Sequence, residues 1–198
     1  ESRLNRTDEV HSEITMLPDF GPQLWCQEVR KSGGITIGAR DILVAYNVNV
    51  DETDAKVAKI IGSIVRGSGR LLKSNTGQKL RVRGMIQEIQ GMGVTLETHG
   101  ISQVSMNILD VNKCPIHKAF EICRSIAQDY STNLLGSELV GLVPLSAMLD
   151  AGRWYCDNPN PSDDELVSSA IDGLGLSSLE TFEPQQRIIE WALQRDSQ

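Results

Sequence analysis

The order in which the hydrophobic period changes constrains this chain more than any other feature. Over residues 35–50 the alternation is that of a strand. Ile42, Val44, Tyr46 and Val48 fall on one side, and Leu43, Ala45, Asn47 and Asn49 on the other. Asp51-Glu52-Thr53-Asp54 then supplies an N-cap and first-turn acids. Val57, Ile60, Ile61, Ile64 and Val65 recur at helical spacing until Gly67-Ser68-Gly69 ends the pattern. The stretch 70–83 is basic and irregular. Two strands are expected near 84–97 and 101–110, joined by a short turn at His99-Gly100. A second helix, 115–130, puts Ile116, Phe120, Cys123 and Ala127 on one stripe, and a fourth strand, 134–143, is nearly continuous in apolar residues. The order β-α-β-β-α-β predicts an α+β fold of the ferredoxin-like type, with a four-stranded antiparallel sheet and both helices on one of its faces.

If the apolar stripes meet the helices, the other face carries Asn47 and Asn49 from the first strand and Gln103, Ser105 and Asn107 from the third. These two strands are neighbours in this topology. A merely solvated face is usually furnished with Lys, Glu and Thr. Uncharged amides suit a surface that a partner or ligand desolvates and hydrogen-bonds.

The flanks read differently. Residues 1–17 form a polar lead-in, and Pro18-Asp19-Phe20-Gly21-Pro22 stops it. After the fourth strand, Pro144 starts a short helix through Asp150. A Pro/Asn/Asp linker at 157–164 then leads to helices near 163–172 and 184–194. The expected division is a lead-in at 1–17, a main domain at 18–152 and a helical C-terminal extension at 153–198.

Composition narrows the function. With 19 Lys and Arg against 26 Asp and Glu, the net charge is −7. That speaks against a general nucleic-acid or anionic-membrane binder. Cys26, Cys114, Cys123 and Cys156 contain no CxxC pair, so no zinc or dithiol site is expected, and free thiols point to a reducing, cytoplasmic setting. No apolar run reaches the ~18 residues of a membrane helix. The glycine pairs at 67–69 and 91–93 fit neither a P-loop nor a dinucleotide fingerprint.

Four segments together resemble a known family. They are Pro18-Asp19-Phe20-Gly21-Pro22, then Gly38-Ala39-Arg40-Asp41-Ile42-Leu43-Val44-Ala45-Tyr46-Asn47-Val48-Asn49, then Gln103-Val104-Ser105-Met106-Asn107-Ile108-Leu109-Asp110, and Gly136-Ser137-Glu138-Leu139-Val140-Gly141-Leu142-Val143-Pro144 with Leu149-Asp150-Ala151-Gly152. Gly173-Leu174-Gly175-Leu176 and Arg187-Ile188-Ile189-Glu190 extend the likeness, which covers about residues 18–191. The set is similar to the C-terminal subdomain of formiminotransferase (glutamate formimidoyltransferase). The resemblance implies transfer of a formimino group from N-formimino-L-glutamate to tetrahydrofolate in histidine breakdown. It also implies a unit of two subdomains with folate in a tunnel between them, and no metal.

On that resemblance the amide face looks into the tunnel. The loop Gly21, Pro22, Gln23, Leu24 and Trp25 through Gly33 touches folate, with Trp25 either stacking on a ring of the ligand or anchoring the loop. Arg40 either pairs with a carboxylate of glutamate or folate or forms a structural salt bridge. Glu138 faces either the amides, where it can accept from the pterin's amino and ring N–H groups, or the helix layer. The transfer needs a general acid or base near pH 7. In the family that histidine belongs to the N-terminal subdomain, and this chain is expected to begin near the end of it. No catalytic role is therefore carried over to His11, His99 or His117, and the isolated chain is expected to be inactive.

The cations Arg66, Arg70, Lys73, Lys79, Arg81 and Arg83, with no acid from 66 to 87, either attract anionic polyglutamyl folate or form a solvated loop. Expected partners are folate, formiminoglutamate, the N-terminal subdomain and a second copy of the chain, but not nucleic acid or membrane. The alternative reading is a non-catalytic folate-binding or self-associating module working through the same sheet face.

Overall fold

The computed structural model describes residues 18–24 and 26–196. The chain falls into two compact units, Glu1–Arg40 and Asp41–Gln198. In the first, one helix, α1 (Gln27–Ser32), ends at Gly33, whose φ of 74° lets its N–H return to the carbonyl of Val29. The lead-in at 1–17 and Trp25 lie outside the described residues.

The second unit is built on a four-stranded antiparallel sheet of β1 (Val44–Val50), β4 (Ile89–Leu96), β5 (Ile101–Ile108) and β6 (Leu134–Val140), in the order β4-β5-β1-β6. That is the strand order of the ferredoxin-like plait. α2 (Lys56–Val65) and α3 (Ile116–Asp129) cover one face. On β1 the period-2 pattern acts as expected. Val44, Tyr46 and Val48 are wholly buried, while Ala45 and Asn47 between them are half-buried on the opposite face. α2 directs Val57, Ala58, Ile61 and Val65 at the sheet, and α3 adds Ile116, Phe120, Cys123 and Ala127. Each buried Val or Ile side chain contributes about 1.5–3 kcal/mol. The helix lies close because β4 has no side chain at Gly93. A Cβ there would sit 2.1 Å from the backbone nitrogen of Lys59.

Two expectations need correction. The strand expected over 35–50 pairs only from Val44, because its neighbours end opposite Val44 on one side and Ala45 on the other. β5 stops at Ile108 and β6 at Val140. Residues 34–43 carry no strand pairing, and Ile35 and Ile37 stand about nine-tenths exposed. The stretch 70–83 is not irregular. It is a hairpin of β2 (Arg70–Lys73) and β3 (Lys79–Val82), whose turn is held by Ser74. Neither of its faces is buried, so no hydrophobic alternation was needed to form it.

Beyond β6, α4 (Leu145–Tyr155) and α5 (Asp163–Leu174) pack side by side, and Gly152 permits the contact, since a Cβ there would meet the Leu166 carbonyl. α5 opens with a capping box between Ser162 and Glu165 and closes at Gly175. The short α6 (Pro184–Arg187) and α7 (Ile189–Asp196) follow. Val167, Ala170, Leu174, Leu176, Phe182 and Ile188 from this tail belong to the same apolar core as the sheet. Among the described residues no helix is long and apolar enough to cross a membrane.

Candidate functional site

Strand register assembles the polar face. Residues directly opposite in an antiparallel ladder share a face. Asn47 sits opposite Ser105 on β5 and Glu138 on β6, while Asn49 sits opposite Gln103 and Gly136. Gln90, Met92 and Val94 on β4 join from the far side, opposite Asn107, Ser105 and Gln103. Glu138 thus faces the amides and not the helix layer. Asn47, Asn49, Gln103, Ser105, Asn107 and Glu138 all lie on this one surface.

The surface is divided. At the end near Gly136 the amides are linked and covered. Asn49 is 0% exposed and Gln103 4%. Asn49 Nδ2 donates to Ser178 Oγ at 3.2 Å, and Asn49 Oδ1 accepts from Gln103 Nε2 at 2.7 Å. Gln103 Nε2 also donates to Glu138 Oε2 at 3.3 Å, which Asn47 Nδ2 reaches at 3.5 Å. The cover is the turn after α5, fastened to β6 by Ser137 N–H on the Gly175 carbonyl (3.1 Å) and Ser137 Oγ on the Leu174 carbonyl (2.7 Å). Gly136, at φ 145°, makes the close approach possible. A Cβ there would lie 2.5 Å from the Gly175 carbonyl oxygen.

The other end is open. Asn47, Ser105, Asn107 and Glu138 are half-buried. Ser105 and Asn107 make no side-chain hydrogen bond to another described residue, and Glu138 Oε1 has no partner among them either. Met92 and Val140 flank this polar patch, each more than half exposed. A cavity of about 260 Å³ opens at the same end of the sheet, lined by Asp41, Ile42, Asp110, Val111, Asn112, Pro144 and Ser146. Its lining carries two carboxylates, and Lys113 pairs with one of them, Asp110, at 3.0 Å.

The remaining candidates fall elsewhere. Gly21, Pro22, Gln23, Leu24, Gly33 and Arg40 are exposed residues of the first unit, whereas the sheet face belongs wholly to the second. His99 is exposed in the short 3-10 turn between β4 and β5, beside Thr98. His117 stacks on Trp154, with ring centroids 5.2 Å apart. Partial burial lowers its pKa, against the opposing pull of Asp150 and Glu121. His11 lies outside the described residues. Burial pushes the Cys114 thiol up to about 11 and Cys123 up to about 12, so both are protonated at neutral pH and neither is a nucleophile. Among the described residues no group of three or more His, Cys, Asp or Glu is placed to hold a metal ion.

One residue of the network, Ser178, has no signature in sequence. It lies 129 positions from its partner Asn49. The local signal was the helix stop at Gly175, which predicts a turn without saying what the turn covers.

A family model for the formiminotransferase domain matches residues 45–194. The mouse formimidoyltransferase-cyclodeaminase is 35% identical over 186 residues, covering 92% of this chain and 32% of its own length. The Dictyostelium discoideum formimidoyltransferase-cyclodeaminase is 36% identical over 192 residues, 96% of this chain and 34% of its own. The glutamate formimidoyltransferase of Streptococcus pyogenes serotype M1 is 35% identical over 138 residues, 69% of this chain and 42% of its own. The chain thus spans about a third of the length of the first two relatives and less than half of the third.

Proposed function

The chain belongs to the formiminotransferase domain family, and from that premise we propose that the open end of its polar sheet face binds tetrahydrofolate during formimino transfer from N-formimino-L-glutamate. The observation that carries this reading is the state of Glu138. Gln103 at 3.3 Å and Asn47 at 3.5 Å donate to its Oε2, and among the described residues its Oε1 has no partner on a half-buried surface. A carboxylate held in this way offers Oε1 as a pre-oriented acceptor for an N–H donor, such as a pterin's amino or ring N–H group. Ser105 and Asn107 add uncommitted polar groups beside it.

In the transfer a folate nitrogen attacks the amidinium carbon, and the glutamate nitrogen leaves protonated. The described residues of the sheet supply binding and orientation. Proton transfer is assigned to a group outside this face, in a second lobe that closes over it. Met92 and Val140, each more than half exposed beside the polar patch, are apolar surface that such a cover would bury. Gly21, Pro22, Gln23, Leu24, Gly33 and Arg40 are kept as folate-contact candidates on the family resemblance alone.

The test is calorimetric titration of the full polypeptide with 5-formyltetrahydrofolate, wild type against Glu138→Ala. The expected outcome is a loss of affinity of about tenfold or more, as for a hydrogen bond to a charged group. Equal affinities would remove the ligand from this face.

A further inference from the structure

We propose that Ser178, on the turn that follows α5, is a positioning residue for the polar sheet face: it sets the orientation of Glu138 through a relay of two buried amides. This deepens the folate reading given above and rests on it.

The relay has a fixed polarity. Glu138 as a carboxylate only accepts, so Gln103 must turn its Nε2 toward it. The second Nε2 proton then points at Asn49 Oδ1, at 2.7 Å. This fixes the Asn49 amide with Nδ2 facing away, toward Ser178 Oγ at 3.2 Å. A serine hydroxyl can accept there and leave its own proton free to turn elsewhere. Every amide in the chain of contacts is therefore oriented from both ends, by the carboxylate at one and the hydroxyl at the other. Asn49 is completely buried beneath the exposed Ser178, so while the turn is in place its Nδ2 meets that hydroxyl and not water. Removing the hydroxyl drives Asn49 to another rotamer, takes the acceptor from Gln103, and loosens Glu138, which then rests on Asn47 at 3.5 Å.

The turn itself does not depend on the relay. Ser137 holds it through the carbonyls of Gly175 and Leu174, and Leu176 is packed in the core. The truncation Ser178→Ala should accordingly leave the backbone in place and change only the hydrogen bonding. The consequence is that the C-terminal tail, more than thirty residues beyond the last strand, contributes to how the sheet meets its ligand.

The experiment uses the full polypeptide and two readouts. The first is the side-chain amide NMR signals of Asn49 and Gln103 without ligand. The second is affinity for 5-formyltetrahydrofolate in a double-mutant cycle of Ser178→Ala and Glu138→Ala. The expected result is that Ser178→Ala shifts the Gln103 side-chain signals and weakens binding about fivefold, the loss of one neutral hydrogen bond. In the Glu138→Ala background the same change should have no effect on affinity. Ser178→Cys, close in size with a weak acceptor, should fall between and serves if Ser178→Ala does not fold. If Glu138→Ala weakens binding but Ser178→Ala does not, or if the Ser178→Ala penalty persists without Glu138, the positioning role is wrong and the folate reading stands. If Glu138→Ala itself leaves affinity unchanged, the folate reading fails and this inference falls with it. Unshifted Gln103 signals in Ser178→Ala overturn the relay whatever the ligand does.

Discussion

Asn47 and Asn49 stand two residues apart on one strand, with side chains on the same face, and have opposite fates. Asn49 is sealed beneath the turn after α5 and makes two hydrogen bonds within the protein. Asn47 is half-buried and makes one long contact to Glu138. The same division separates Gln103 from Ser105 and Asn107 on the neighbouring strand. One residue type therefore serves two purposes along a few ångströms of sheet. At the covered end amides satisfy one another and stiffen the surface. At the open end their hydrogen-bonding capacity is left over. Only unspent capacity can recognise a ligand, because a group already paired must break a bond to make another.

This contrast can be broken at several points. The largest effect is expected from Gly136→Ala at the covered end. The added Cβ would meet the turn's backbone, in a conformation that L side chains rarely adopt. A stability loss of about 3 kcal/mol should appear in urea denaturation. Next comes Asn49→Leu, which leaves a buried donor on Gln103 without its acceptor. About 2 kcal/mol should be lost by the same measurement, and a stability equal to wild type would mean that the covered amides carry no structural load. At the open end the pattern should invert. Asn47→Leu and Asn107→Leu are expected to change stability by no more than about 0.5 kcal/mol while weakening 5-formyltetrahydrofolate about fivefold in titration. A large stability loss at Asn107 would erase the distinction between the two ends.

The smallest effect belongs to the hairpin, which lies outside both. Lys73 and Lys79 face each other across β2 and β3 on exposed strands. Replacing both by alanine should leave monoglutamyl folate affinity unchanged. Affinity for polyglutamyl folate should fall about two- to threefold at low salt, and the difference should vanish at high salt. Equal polyglutamate affinity at low salt would leave these cations as a solvated surface.

What could be read before the fold was known follows from range. Val44, Tyr46 and Val48 announced a buried strand face because a pleated strand puts every second residue on one side, and that needs no distant partner. The stripe Ile116, Phe120, Cys123 and Ala127 did the same for a helix. Two of the places where expectation and structure part are those where burial does not write the pattern. Residues 34–43 look strand-like but have no neighbour to pair with, and 70–83 form a hairpin with neither face covered. Glu138 could not be assigned to a face from its own segment, since β6 shows no regular alternation of apolar and polar residues. Its pairing with Asn47, 91 positions away, decided it.

By itself the sequence determined which side of β1 is oily and which stripes of the two helices meet the sheet, and hence the βαββαβ order with an amide-rich face. Those are consequences of local period. Tertiary structure alone decided which of those amides are spent. A turn from the far end of the chain settles over Asn49 and Gln103 and stops short of Asn47 and Asn107. Hydrogen-bond satisfaction is a property of neighbours in space, and a linear pattern records neighbours in sequence only.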